Sequence, residues 1–182
     1  SLAYNSERVD VRPVIAATLQ SDNVQGLPST VTVQLTWNGN TQTAQNFNTT
    51  GLVAGDTITV AQQVDSAVSS SGRYAWSLAV TANYGTPVTS TLTGVSYVVA
   101  EGSSVFGAGW TLGGVDKLVD VAAASPHPAG KLRVFGEGNW AFYAASGGGY
   151  TSPAGDGGTL ASVTGGFQHT SPDGTVRNYD SG

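Results

Sequence analysis

Val31, Val33, Leu35 and Trp37 alternate with Thr30, Thr32, Gln34 and Thr36. A period of two places the apolar set on one face of a half-buried strand, and no helix can bury that pattern. Tyr74, Trp76, Leu78 and Val80 repeat it, and further runs rich in Val, Ile and Thr cover about 11–19, 56–64 and 88–99. Gly, Pro, Asn or Asp bounds each run, as turn chemistry requires. Asn38-Gly39 tolerates the positive φ values of a two-residue hairpin turn, with Thr41 and the residues after it as the return strand. The first hundred residues therefore predict six or seven strands at sandwich spacing and almost no helix. The fold class is all-β.

The chain has 182 residues, of which 10% are charged, with seven Lys plus Arg against twelve Asp plus Glu. A net charge of −5 with scattered cations leaves no basic stripe for phosphates, so nucleic acid is excluded as a partner. No apolar run approaches the ~20 residues of a helical membrane span. With no cysteine, the chain has no disulfide, thiol or zinc-thiolate chemistry. It opens on Ser1-Leu2-Ala3-Tyr4, and the expectation is an excised or processed piece of something longer.

Composition shifts after Ala100. Glu101-Gly102-Ser103-Ser104 is short, polar and turn-like, and beyond it Gly becomes dense while the strands shorten. This predicts two domains, 1–100 and 103–182. Strands in the second are expected at about 115–121, 131–135, 139–143, 159–163, 166–170 and 175–180, joined as successive hairpins. Two of them look like copies of one unit: Glu137-Gly138-Asn139-Trp140-Ala141-Phe142-Tyr143 aligns with Asp173-Gly174-Thr175-Val176-Arg177-Asn178-Tyr179. In each, Gly takes a turn and a closing Tyr packs over the neighbouring strand. An array of such units leaves an open sheet edge at its end.

Few residues carry chemistry. His127, in Ser125-Pro126-His127-Pro128, and His169 are the only imidazoles, and each reads as an inert surface histidine. No nucleophile elbow, His-Glu-x-x-His helix or phosphate loop occurs. Asp116 and Asp120 fall on one strand face with Lys117 between them and read as a solvated edge. Asp156 and Asp173 read as turn residues, without the spaced acidic loop of a calcium site, and Asp56, in Gly55-Asp56-Thr57, reads as opening a strand. The first hundred residues contain no lysine, which removes a Lys–Asn isopeptide from that domain. The expectation is no catalytic residue, no cofactor and no metal. An enzyme would need His169 or His127 to converge with two acidic residues in a pocket. Trp37 and Trp76 fall in phase with the inward set and read as core, whereas Trp110, Trp140 and Tyr150 are the rings available to stack on sugars.

Ser104-Val105-Phe106-Gly107-Ala108-Gly109-Trp110-Thr111-Leu112 resembles the Rhs/YD-repeat family, whose shells commonly begin with a Phe-Gly-x-Gly-Trp-x-Leu segment. Ser171-Pro172-Asp173-Gly174-Thr175-Val176-Arg177-Asn178-Tyr179-Asp180 is similar to that family's Pro-Asp-Gly-Thr hairpin. Tyr4-Asn5-Ser6 and Gly72-Arg73-Tyr74-Ala75-Trp76-Ser77-Leu78, followed by Asn83-Tyr84-Gly85, resemble the region before the shell. The resemblance implies an Ig-like β-sandwich leading into the first hairpins of a β-sheet shell, within a large secreted or cell-surface bacterial protein. No segment matches the family's self-cleaving site or toxin. Phe106, Gly107, Gly109, Trp110, Asp173, Gly174 and Tyr179 are then structural motif residues. Gly107 and Gly109 let the chain approach Trp110 closely, so that the buried indole plugs the sheet that follows. The expected role is a non-enzymatic scaffold whose partners are the rest of its polypeptide or copies of itself. Two alternatives stand beside it: a filament subunit completed by a neighbour's strand, and a carbohydrate-binding adhesin recognising surface glycans through exposed aromatics.

Overall fold

The computed structural model describes residues 2–21 and 26–181. In chain order the strands are β1 (Leu2–Tyr4), β2 (Val14–Gln20), β3 (Thr30–Trp37), β4 (Asn40–Thr41), β5 (Gln45–Asn48), β6 (Thr57–Gln63), β7 (Gly72–Asn83) and β8 (Val88–Val98). They continue as β9 (Trp110–Leu112), β10 (Lys117–Val121), β11 (Gly130–Phe135), β12 (Asn139–Ser146), β13 (Gly149–Thr151), β14 (Thr159–Val163), β15 (Gly166–Thr170) and β16 (Val176–Asp180). Among the described residues one 3-10 turn, Ser6–Arg8, is capped by the Asn5 side chain, which accepts from the Glu7 amide at 2.9 Å. The fold is all-β with antiparallel pairing, and among the described residues no helix is long and apolar enough to cross a membrane.

The chain divides into two compact units. One comprises Val11–Val68 with Arg73–Val98; the other gathers residues up to Asp10, Ser69–Gly72 and those from Val99 onward. The sequence boundary assigned 1–100 to one domain, but β1 belongs with the later residues. Tyr4 pairs with Trp110 and Leu2 with Leu112, and the Asn5 amide donates to the Gly109 carbonyl at 2.9 Å. No local pattern announces a strand whose partner lies a hundred residues away.

The first unit is a sandwich. β2 and β6 form one sheet, and β4, β3, β7 and β8, with β5 also on β3, form the other. The alternating residues meet in one core of Ile15, Val31, Val33, Leu35, Trp37, Val60, Leu78 and Val80. Trp37 stacks on Tyr74 at 5.5 Å, and Trp76 is half-buried against the same core, so both indoles lie inward as their phase requires. Asn38 and Gly39 take φ of 47° and 82°, the two positive values of a type I′ turn. The expected continuous return strand is interrupted between β4 and β5. There Gln62, fully buried, accepts from the Leu35 amide and donates to the Thr43 carbonyl, both at 2.9 Å. A side-chain amide thus replaces a strand's hydrogen bonds where the strand has left.

In the second unit, sheets β10-β11-β12-β13 and β14-β15-β16 share a core of Ala141, Tyr143 and Leu160, flanked by Leu118, Phe135, Tyr150 and Phe167. The two sheets repeat one register. Gly130 pairs with Ala144 as Gly166 pairs with Asp180; Arg133 pairs with Ala141 as His169 pairs with Arg177. Val121 closes onto Gly130 as Val163 closes onto Gly166. The match extends to sterics. A Cβ on Gly130 would overlap the Tyr143 carbonyl oxygen, and one on Gly166 would overlap that of Tyr179. Only glycine admits so close a backbone approach at the start of each middle strand.

Candidate functional site

Strand alternation sends Lys131, Arg133 and Phe135 to one face of β11, with Tyr143 opposite Lys131. In the second sheet Phe167 and His169 share a face, with Tyr179 and Arg177 opposite them. Where these faces meet, the interior is polar. Asp116, just before β10, uses one oxygen, Oδ2, for four groups. It accepts from Arg133 Nη2 at 2.6 Å and Nε at 3.1 Å, from the Tyr179 hydroxyl at 3.3 Å, and pairs with Arg177 Nε at 3.4 Å. Arg133 Nη1 lies 3.3 Å from His169 Nε2. The Tyr143 hydroxyl donates to Asp156 Oδ2 at 2.5 Å and lies 2.8 Å from His169 Nε2.

The centre of this cluster is buried, with Arg177 and Asp156 at its rim. The Asp116 side chain is 4% exposed and His169 is 1% exposed, with Tyr143 and Arg133 also buried. The single hydroxyl hydrogen of Tyr143 goes to Asp156, and His169 Nε2 faces both the Tyr143 oxygen and Arg133 Nη1, which can only donate. Nδ1 is buried with no partner among the described residues. Burial, reinforced by the Arg133 charge, holds the imidazole pKa below its ordinary 6.5. Burial, then the hydrogen bond to Asp156, pushes the Tyr143 phenol far above its ordinary 10.0. Burial likewise raises Tyr179.

A pH dependence follows from His169. The imidazole is neutral in the fold, while the unfolded chain binds a proton as pH falls through 6.5. Its contribution to stability is complete above that value and is lost as pH falls below it toward the lower folded pKa. Urea unfolding at a series of pH values is expected to show wild-type losing more stability than His169→Gln between pH 7.5 and 5. Equal slopes refute the assignment.

The structure corrects the sequence readings of these residues. His169 is not a surface histidine, because β14 and β16 flank it and Tyr143 and Arg133 close over it. Asp116 and Asp120 do not share a solvated edge. Asp120 is 84% exposed and pairs with Lys131 at 2.6 Å, whereas Asp116 turns inward to two arginines. Asp156 does accept from its own turn, at the Gly158 amide (3.2 Å), but it also receives Tyr143. His127 stays outside the cluster, bridged by backbone to Ala124.

Of the seven motif residues only Tyr179 joins this site. Asp173 caps its own turn, with Oδ1 accepting from the Thr175 amide at 2.9 Å, a bond that lowers its carboxyl pKa; Gly174 follows at φ 84°. Phe106 lies exposed on a turn. Gly107 and Gly109 do bring the chain close, at φ 106° and 77°. A Cβ on Gly109 would stand 2.8 Å from the Tyr4 ring. Trp110 is the correction: it is 39% exposed and tilts against exposed Tyr4 at 5.3 Å, so it plugs no sheet. β1 occupies the place beside β9, and the pair Tyr4–Trp110 forms an outer face.

Among the described residues no group of three His, Cys, Asp or Glu is placed to hold a metal. What the cluster does chemically is hold protons and charges still: each carboxylate is committed to donors, and the imidazole Nε2 is engaged by Tyr143 and Arg133. Sequence reasoning located Tyr143 and Tyr179 through the repeat but not their convergence. The available signal was the pair Lys131 and Arg133, two cations at alternate positions of a strand that is otherwise apolar. No family model matches the chain, nor does any curated protein or solved structure.

Proposed function

We propose that this chain is a non-enzymatic structural module of a large secreted or cell-surface bacterial protein of the Rhs/YD-repeat type, an Ig-like sandwich followed by the first hairpins of a β-sheet shell. The observation that carries the reading is the duplicated three-stranded unit with its buried seam. Closing tyrosines of both copies, Tyr143 and Tyr179, reach one cluster in which Asp116, Arg133, His169 and Asp156 satisfy one another. A catalytic base must be within reach of a substrate proton. His169 instead sits behind Tyr143 and Arg133 with almost no exposed surface. Such a seam lets one repeat be laid on the next in a single register, which a plain apolar contact between flat sheets does not specify.

Hydrogen exchange on the intact chain tests this. The scaffold reading expects the slowest amides of the second unit to lie in β11 and β15 and to open together. Independent opening of the two strands, with β15 exchanging rapidly, defeats the reading.

A second reading is favoured by one observation. Trp110 and Trp140 (43% exposed) both present ring surface, with Tyr4 beside Trp110 and Asn139 beside Trp140 in sequence. Exposed aromatic faces suit pyranose stacking, and a buried Trp110 was the scaffold's own expectation. A glycan array decides: binding that Trp110→Ala abolishes establishes an adhesin role, and an array without signal removes it.

A further inference from the structure

We propose that β8 is a self-association edge, through which two copies of this chain pair β8 antiparallel about a dyad at Thr93. This inference is independent of the scaffold reading, since it concerns the sandwich unit. β8 ends the order β4-β3-β7-β8, so its outer backbone groups face away from β7. It is eleven residues long and, from Val88 to Val98, contains no charge and no proline.

Protected edges are short, charged, bulged or carry proline; β8 has none of the charge or proline that blocks pairing. β10 carries Lys117 and Asp120, and β16 carries Arg177 and Asp180. The uncharged edges β2, β6, β13 and β14 are shorter than β8, with seven, seven, three and five residues.

The occupant is a second copy because β8 complements itself. With Thr93 on the dyad, Val88 meets the partner's Val98, Ser90 the partner's Ser96 and Thr91 the partner's Val95. Hydroxyl and β-branched pairs of this kind are favourable, and no like charges oppose. Leu92, 45% exposed, falls opposite the partner's Gly94. Above Gly94 the Trp76 ring already occupies the space a Cβ would need. The one exposed leucine of the strand thus gains an apolar neighbour where the facing residue has no side chain. An antiparallel pair of this symmetry closes on itself and yields a dimer, not a fibre.

The absence of native cysteine makes a single cysteine a clean reporter. Residues facing one another across an antiparallel pair have Cα atoms about 4.5–5.5 Å apart, inside disulfide reach. Two copies of residue 89 would stand about 27 Å apart at ~3.4 Å per residue. Thr93→Cys under mild oxidation is expected to give a covalent dimer, increasing with concentration, while Thr89→Cys does not. Adding Leu92→Lys to Thr93→Cys is expected to reduce the yield at least tenfold. Both threonines and Leu92 are exposed, and circular dichroism checks that each variant folds. Absence of a Thr93→Cys dimer at millimolar chain, equal cross-linking through Thr89→Cys, or a yield untouched by Leu92→Lys overturns the proposal.

Discussion

Asp116→Ala is expected to destabilise the second unit by about 3–5 kcal/mol, the cost of leaving a buried charge without its partner. The carboxylate is the common acceptor for Arg133, Arg177 and Tyr179, and the Arg133 side chain has 6% of its surface in water. Removing the acid leaves that guanidinium in an interior where its other neighbours, His169 Nε2 and the Tyr179 hydroxyl, supply no charge. Asp116→Asn retains an acceptor oxygen and is expected to cost less, because one hydrogen bond to Arg133 survives. Asp120→Ala is the control. Its carboxylate is exposed, and although the Lys131 side chain has only 11% of its surface in water, that ammonium keeps the Phe167 ring 4.0 Å away, so the loss is expected to be smaller than that of Asp116→Ala. Urea unfolding, with hydrogen exchange to locate the loss in β11 and β15, measures all three. An Asp116→Ala effect no larger than that of Asp120→Ala would show that the cluster does not hold the two sheets together.

The second large effect is steric. Gly166→Ala is expected to cost about 3 kcal/mol, the upper part of the overpacking range. Its Cβ would overlap the Tyr179 carbonyl oxygen, a backbone atom that moves only if β16 moves. Gly130→Ala should match it, since the Tyr143 carbonyl occupies the same place in the other copy. Gly165→Ala separates this from ordinary backbone strain. That residue has φ of 85° but open space around it, so about 1–2 kcal/mol of left-handed strain is the whole cost. If Gly165→Ala and Gly166→Ala are equally costly, the close approach is not what selects glycine.

The repeat explains why part of the site was legible in the sequence and part was not. An acidic or polar residue, Gly and a closing Tyr recur at fixed spacing, which is local information, and the matching hairpins follow from it. That Tyr143 reaches Asp156 and His169 while Tyr179 reaches Asp116 and Arg133 depends on which sheet face covers which. Alternation assigns residues to faces but does not say what lies opposite a face. Asp116 illustrates the difference. By sequence it lies in the strand expected at about 115–121, on one face with Asp120 and beside Lys117, and that position reads as a solvated edge. The second sheet brings Arg177 and Tyr179 over it and makes its burial favourable. Trp110 shows the reverse case. Glycines on its N-terminal side signalled a close approach, and it exists: a Cβ on Gly107 would stand 3.3 Å from the Trp110 ring, while the ring that Gly109 admits is Tyr4 from the start of the chain.

By itself the sequence determined the all-β class, the inward phase of the sandwich strands, the Asn38-Gly39 hairpin and the pairing of middle strands with their closing tyrosines. These rest on the pleat and on turn dihedrals, which act over a few residues. Only the tertiary structure decided that β1 joins β9, that Gln62 fills the gap between β4 and β5, and that a histidine, two arginines, two tyrosines and two aspartates converge in one cluster with a buried centre. Those outcomes depend on contacts between residues far apart in the chain, where the favourable energy of a charged pair exists only once water has been excluded from around it.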